Sequence, residues 1–332
     1  MKSFSKDFFK KENFVIAQYD YNYLKKSQPS CHICYNVNNQ FIHIMGVSII
    51  SVLENNKKLN FTFYVFTDGC DRENREKIRT LAQKWNCRCI VYILNMKPFE
   101  DFHIKVSRFS RITYARLYMP KVLKGKVNKY IYLDDTMCVN SIQPLYQLEM
   151  NGIPMGAVSE RDSAITYRAN FLKLKSGKYF NDGVMVVDVN SWENASITEK
   201  AFSYQREPRD RFLGQSQDVL NLVFDGANYP LSAGYNVYDG GAYDQGDSVF
   251  IHWTGRRKPW QMVLTDFDAQ WRKYNELSPW PTITNILPIK KPENYHDFQQ
   301  WGRYQKDHGN MAGYIKGLFW YSWLRIRYKL HF

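Results

Sequence analysis

The sequence predicts an α/β protein: a single open mixed, mostly parallel sheet with flanking helices, followed by a basic, aromatic helical tail. Three observations predict it. Between residues 31 and 94, short β-rich runs alternate with stretches that are apolar or amphipathic at helical spacing, the pattern of strands joined by crossover helices. A later strand-like stretch, KYIYLDD (129–135), runs into Asp134 and Asp135. In open α/β sheets it is the carboxyl ends of strands that meet ligands. At the far end, YIKGLFWYSWLRIRYKLHF (314–332) carries Lys316, Arg325, Arg327 and Lys329 among aromatic and aliphatic residues, with no acidic residue.

The elements follow in order. Residues 1–29 are polar, aromatic and charged and read as an extension. CHICYNV (31–37) is apolar and short, the mark of a buried first strand. FIHIMGVSIISVLENN (41–56) is apolar at helical spacing and stops at Asn55-Asn56. LNFTFYVFTD (59–68) is a strand, RENREKIRTLAQKW (72–85) a charged amphipathic helix, and CRCIVYIL (87–94) another strand. YARLYMPKVL (114–123) reads as helical, MGAVSERD (155–162) and GVMVVDV (183–189) as strands, and SQDVLNLVF (216–224) as a helix. Beyond about residue 270 the periodicity dissolves into Pro-containing loops. The expected division is an extension (1–29), a core domain (30–275) and a C-terminal extension (276–332) ending in a membrane-associating tail.

Composition narrows the function. Hydrophobic residues make up 44% and charged residues 23%, so the chain is globular rather than disordered. The net charge of +13 points to an anionic partner: nucleic acid, an acidic membrane or a phosphorylated substrate. No helix-turn-helix, zinc module or RNA-binding signature is present, so no nucleic-acid partner is expected. Cys31-His-Ile-Cys34 lacks a second pair at zinc-finger spacing and reads as buried thiols. The opening MKSFSKDFFKKENF lacks the apolar core of a signal peptide, and no run of about 18 apolar residues could span a bilayer. The cytoplasm is the expected compartment.

Carboxylates at a strand end can hold a hard divalent cation, which in turn neutralises a diphosphate. Aspartates also cap tight turns, and spacing alone leaves both readings open for Asp134 and Asp135. FIHWTGRRKPW (250–260) adds His252, Gly255, Arg256, Arg257 and Lys258: a metal ligand, a close backbone approach and point charges for phosphate. YFNDGVMVVDVNSW (179–192) puts Asn181, Asp182 and Gly183 ahead of a buried strand, where a tight turn is the plainer explanation.

Taken together, HICYNVNNQF…GVSIISVL, ITYARLYMP, YIYLDD, YFNDGVMVVDVNSW, QDVLN and HWTGRRKPW resemble the family 8 glycosyltransferases in order and spacing, over roughly residues 30–280. The bacterial lipopolysaccharide core glucosyl- and galactosyltransferases are the members it most resembles. The resemblance implies a GT-A fold and a retaining transfer of glucose or galactose from a UDP-sugar donor to a lipopolysaccharide core acceptor, with Mg²⁺ or Mn²⁺. Carried across residue by residue, it implies metal ligation by Asp134, Asp135 and His252, and diphosphate contacts from Gly255 and Lys258. It also implies donor contacts from Asn38, Arg116 and Asn181, and places Gln217 near the reacting face. Asp134, Lys258 and Gln217 are the expected catalytic set.

The family's Tyr-Leu-Asp-x-Asp stands here as Tyr-Leu-Asp-Asp-Thr, so either Asp135 or Thr136 fills the second ligand position. Asn38 and Ser216 stand where relatives carry Asp. A second reading is therefore a weakened or inactive member that binds a nucleotide sugar or scaffolds a membrane assembly. A transferase acting on a lipid-anchored acceptor is expected to lie on an anionic membrane surface, on the inner face of the inner membrane.

Overall fold

Side chains alternate along the central strands, and both alternating sets are apolar. In the strand Asn60–Thr67, Phe61, Phe63 and Val65 face one core while Tyr64 and Phe66 face another. In Lys129–Leu133, Ile131 and Leu133 oppose Tyr130 and Tyr132 in the same way. Strands buried on both faces need helices on both faces, and that is the arrangement found. It is seen in a computed structural model that describes residues 4–25, 30–104, 110–208, 211–242, 246–255, 257–282 and 291–330.

The strands are β1 (Val15–Asn22), β2 (Ser30–Val37), β3 (Asn60–Thr67), β4 (Arg88–Leu94), β5 (Lys129–Leu133), β6 (Thr136–Cys138), β7 (Met155–Ser159), β8 (Phe180–Asp188), β9 (Tyr229–Pro230) and β10 (Phe250–His252). Eight of them form one sheet in the order β1-β4-β3-β2-β5-β8-β7-β9, and β10 and β6 form a separate antiparallel pair. Strands β2 to β5, β7 and β9 run one way; β1 and β8 run against them. The carboxyl ends of β2, β5 and β7 therefore share an edge with the amino end of β8.

One face is covered by helices α1 (Ile42–Asn55) and α2 (Arg72–Trp85), with Trp280 packed among them. The other is covered by helical turns over Arg111–Leu123, by Trp192 and Phe202, and by a helix over Ser216–Phe224. A smaller cluster joins Ile44 and Val47 of α1 to Met137 of β6, Ile251 of β10 and Trp253, Trp260 and Trp271. It anchors the two-stranded pair beside the main sheet. Asn55 and Asn56 do more than stop α1: Asn55 donates to the Cys138 carbonyl at 3.0 Å, and Asn56 accepts from the Ile142 amide at 2.9 Å. All six cysteines are free and buried.

Two segments differ from the sequence-based expectation. Residues 1–29 were expected to stand apart, yet Val15–Asn22 pair antiparallel with β4 and close that edge of the sheet. Only alternate residues of β1 are covered, so its Gln18, Asp20 and Asn22 made it look polar. Past residue 270 the expected tail helix is present, but helices also stand where Pro-containing loops were expected before it. Asp266–Leu277 is capped by Thr265, Tyr295–Asp307 by Asn294, and a long helix runs over Met311–Lys329. The last two form a hairpin whose backbones touch at Gly302 and Gly317. A Cβ on Gly317 would lie 2.6 Å from the Gly302 Cα.

Candidate active site

Strand ends bring the acidic pair to the shared edge. The Asp134 amide donates to the Gly183 carbonyl at 2.8 Å, which carries the β5–β8 ladder one step beyond the strand. Its carboxylate accepts from the Tyr132 hydroxyl at 3.0 Å and from Arg116 Nη2 at 3.2 and 3.3 Å. The Arg116 side chain is 3% exposed, lies 4.4 Å over the Tyr132 ring, and its Nη1 is 2.8 Å from Asp182 Oδ2. Burial works against this guanidinium's charge, but Asp134 and Asp182 on either side raise its pKa above the usual arginine value.

His252 reaches the same point from β10, which pairs with β6 so that His252 stands opposite Thr136. Gly183 makes room for it, since a Cβ there would collide with His252 Cε1. A hydrogen-bond chain fixes the imidazole. Asn181 Oδ1 takes the Gly183 amide at 2.9 Å and Asn236 Nδ2 at 2.9 Å, so Asn236 turns its oxygen to His252 Nδ1, also at 2.9 Å. Nδ1 thus carries the proton, and Nε2 keeps the lone pair that a metal takes. Burial pulls the His252 pKa down, against the opposing pull of Asp135 and Asp134, and the neutral ring is the ligating form.

Ligand atoms of Asp134, Asp135 and His252 all lie within 4.8 Å of one another. Two carboxylates and a neutral imidazole suit a divalent cation that accepts oxygen and nitrogen. Thr136 opens β6 instead, buried, with its hydroxyl unpartnered among the described residues. Asp135 presently pairs with Lys258 Nζ at 2.5 Å, and Lys258 also donates to the Trp253 carbonyl. Burial opposes the Asp135 charge, yet Lys258 and His252 together hold its carboxyl below the usual range.

Two cavities meet at this cluster. One, of about 210 Å³, is mainly apolar, walled by Tyr35, Phe41, Ile44 and Ile112, with Asn38 and Gly255 at its rim. The other, of about 320 Å³, is polar and lined by Arg116, Asn181, Asp182, Ser216 and Gln217. Thr113, Asp134, Asp135, Thr254 and Lys258 belong to both. Asn38 uses its side-chain oxygen to cap the turn before α1, accepting from the Phe41 amide at 3.0 Å. Gln217 Nε2 donates to Glu160, and its oxygen accepts from the Asp182 amide, both at 3.4 Å. Arg257, next to Lys258, faces away and bonds Asp268 and Gln300. Arg256 lies outside the described residues.

An apolar cavity and a polar one, joined by an acidic cluster and a lysine, fit a two-part anionic ligand. Comparison with known proteins agrees. The sequence profile described as Glycosyl transferase family 8 matches residues 32–263. The chain belongs to that family. It is 27% identical to the lipopolysaccharide 1,2-glucosyltransferase of Escherichia coli K12, over 80% of this chain and 83% of that one. It is 28% identical to the lipopolysaccharide 1,3-galactosyltransferase of Salmonella typhimurium LT2, over 86% and 89% of the two chains. The galactosyltransferase LgtC, crystallised with donor and acceptor sugar analogs, superposes with a TM-score of 0.67 at 19% identity, over 75% of this chain and 96% of that one. The fold is GT-A, and the protein is a glycosyltransferase enzyme.

Within this family 8 glycosyltransferase, the structure gathers Asn38, Arg116, Asp134, Asp135, Asn181, Gln217, His252, Gly255 and Lys258 around the two cavities. Sequence reasoning passed over Glu160 and Asn236. Glu160 follows β7 as Asp134 follows β5, so the strand-end signal was available. Asn236 sits in a loop where nothing in the spacing marks it. Asp218, which follows Gln217, is spent on structure: fully buried, it holds Arg168, the Tyr179 hydroxyl and the Gly214 amide.

Proposed function

We propose that this enzyme transfers a hexose, glucose or galactose, from a UDP-sugar to a lipopolysaccharide core oligosaccharide with retention of configuration. The observation that carries the reading is the meeting of the apolar and polar cavities at Asp134, Asp135 and Lys258. A nucleoside fills the first, a sugar the second, and the diphosphate between them lies against the acidic cluster and the lysine. The names of the relatives, which act on lipopolysaccharide, support the acceptor class.

Asp134, Asp135 and His252 would hold Mg²⁺ or Mn²⁺, which supplies a Lewis acid for the departing diphosphate. Lys258 would leave Asp135 for the phosphate oxygens and stabilise the charge that develops there. Gly255 lets the backbone of its loop come close to the phosphates, and Asn38 borders the nucleoside. Arg116 and Asn181 orient the sugar end, and Gln217 supports the sugar as positive charge builds on it. The acceptor hydroxyl enters from the face the diphosphate leaves and passes its proton to a phosphate oxygen.

The C-terminal helix supports a membrane site of action. No helix among the described residues is long and apolar enough to cross a bilayer. Yet Ile315, Phe319, Trp323 and Ile326 stand 50–63% exposed beside Lys316, Arg325, Arg327 and Lys329. Apolar side chains at headgroup depth and lysines or arginines against anionic lipid make a reversible anchor. It would place the enzyme on the inner face of the inner membrane.

A thermal-shift panel tests the reading: UDP, UDP-glucose, UDP-galactose and UDP-GlcNAc, each with and without Mn²⁺. Stabilisation by UDP that needs Mn²⁺, and a larger shift with one UDP-hexose, is expected. No response to any uridine nucleotide with the cation would reject it.

A further inference from the structure

Asp182 lies in the polar cavity, and the proposed transfer gives it no task. Its side chain is 8% exposed. One oxygen, Oδ2, takes both the Ser216 hydroxyl at 2.9 Å and Arg116 Nη1 at 2.8 Å. The other, Oδ1, has no hydrogen-bond partner among the described residues. A carboxylate can only accept, and Asp182 lines the polar cavity, so this oxygen is the one left to take an N–H or O–H from a ligand bound there. Asp182 is also fixed in direction. Two donors grip the same oxygen, so the carboxylate cannot rotate without losing one of them. Arg116 links it in turn to Asp134, where the diphosphate is expected.

The surroundings say what the missing donor is. Asn181, Ser216 and Gln217 line the same cavity, so its wall carries uncharged hydrogen-bonding groups beside one anionic acceptor. A second phosphate would be repelled by Asp182. A group dense in neutral O–H donors would not. Whatever is attached beyond the diphosphate falls into this space, because Asp134 and Lys258 form the wall between it and the apolar cavity.

We propose that Asp182 Oδ1 accepts a hydrogen bond from a hydroxyl of the donor hexose, and that this contact sets which hexose the enzyme transfers. Ser216 and Arg116 are its positioning partners. The inference rests on the nucleotide-sugar reading, and the rival is a purely structural Asp182 that only balances the charge of Arg116.

The test uses the full chain with Mn²⁺ and compares affinities for UDP, for UDP-hexose and for monodeoxy UDP-hexoses. The variants are Asp182→Asn and the exchange Asp182→Ser with Ser216→Asp, which moves the carboxylate to the other side of the same contact. In the wild type, one deoxy analogue should bind at least about 10-fold more weakly than the parent sugar, the loss expected for one hydrogen bond to a charged group. Asp182→Asn should erase that discrimination while leaving UDP affinity within about two-fold, and the exchange should restore part of it. A structural role would move UDP and UDP-hexose alike. If Asp182→Asn keeps the wild-type preference for every hydroxyl, the inference is overturned while the donor reading stands. Should Asp182→Asn fail to fold, the exchange decides: UDP binding without hydroxyl discrimination then overturns the inference and spares the donor reading. Failure of the wild type to bind UDP with Mn²⁺ overturns both.

Discussion

Arg116 donates to both oxygens of Asp134, at 3.2 and 3.3 Å, while its other nitrogen holds Asp182. One buried cation thus spaces two carboxylates that would otherwise repel, and it keeps Asp134 directed at His252 and Asp135. Arg116→Met leaves both carboxylates without their counter-charge. It should cost about 3–5 kcal/mol in urea denaturation, the usual penalty for breaking a buried pair from one side. Arg116→Lys keeps the charge but cannot fork between two partners, so it should recover stability better than turnover. Unchanged stability in Arg116→Met would mean the triad is held by something else.

Asp134→Asn removes the charge of a candidate ligand at a strand end but keeps a side-chain oxygen for Arg116 and the Tyr132 hydroxyl. The variant should fold with a melting temperature close to wild type, yet lose Mn²⁺-dependent stabilisation by UDP. Full transfer activity in excess EDTA, in either protein, would exclude a metal-dependent mechanism.

Lys258→Ala should lower kcat/KM by about 10²-fold or more, as expected for loss of one charge-stabilising donor. It also strips Asp135 of its present partner, so cation affinity measured without nucleotide should rise or hold steady. An effect confined to acceptor affinity would place Lys258 elsewhere in the reaction.

His43 sets an acid limit on stability. It is buried in α1, bonded through Nε2 to Asn275 at 3.0 Å, with Nδ1 unpartnered among the described residues. Burial pushes its pKa down to about 4, against the pull of that hydrogen bond. The folded state therefore binds fewer protons than the unfolded state between about pH 6.5 and 4. The stability it contributes is complete above about pH 6.5 and is lost as pH falls toward 4, by up to about 3 kcal/mol. Wild type should lose that advantage over His43→Gln across this window, measured by denaturation midpoints at about pH 7.5, 5.5 and 4.5. Parallel pH profiles for the two proteins would refute it.

In the C-terminal hairpin, Gly317→Leu must force apart two backbones that meet at Gly302. Overpacking of this kind costs roughly 1–3 kcal/mol, so proteolysis within 291–330 should quicken about 10-fold or more. The paired change Phe319→Ser and Trp323→Ser leaves that contact alone and should release the protein from anionic vesicles without altering Mn²⁺-dependent UDP binding. Undiminished co-sedimentation would rule out this helix as the anchor.

Much of the architecture was legible because periodicity is a physical demand. Arg72–Trp85 and Ser216–Phe224 have the bounds that their apolar spacing announced, since a helix must turn one stripe to the core. The strand running into Asp134 was equally plain, because so apolar a run has to be buried and the carboxylates have to end it. What escaped were elements whose burial is one-sided or borrowed. β1 covers alternate residues only, and Tyr295–Asp307 buries little beyond Gly302, which faces another glycine. The orientation of His252 depends on Asn236, and that of Asp182 on Ser216. Such pairs become neighbours only through the fold, and no spacing along the chain encodes them.

Lys258 and Asp135 form their ion pair across 123 residues of sequence. A ribosome adding roughly 5–20 residues per second exposes the acidic pair on the order of ten seconds before its lysine and its histidine arrive. In that interval β2 to β5 can assemble, but β6 has no partner strand and the cation site has no third ligand. The candidate site is therefore complete only after β10 has been made and has docked. A chain broken off before His252 carries the acidic pair but lacks both the imidazole and the lysine that complete the cluster.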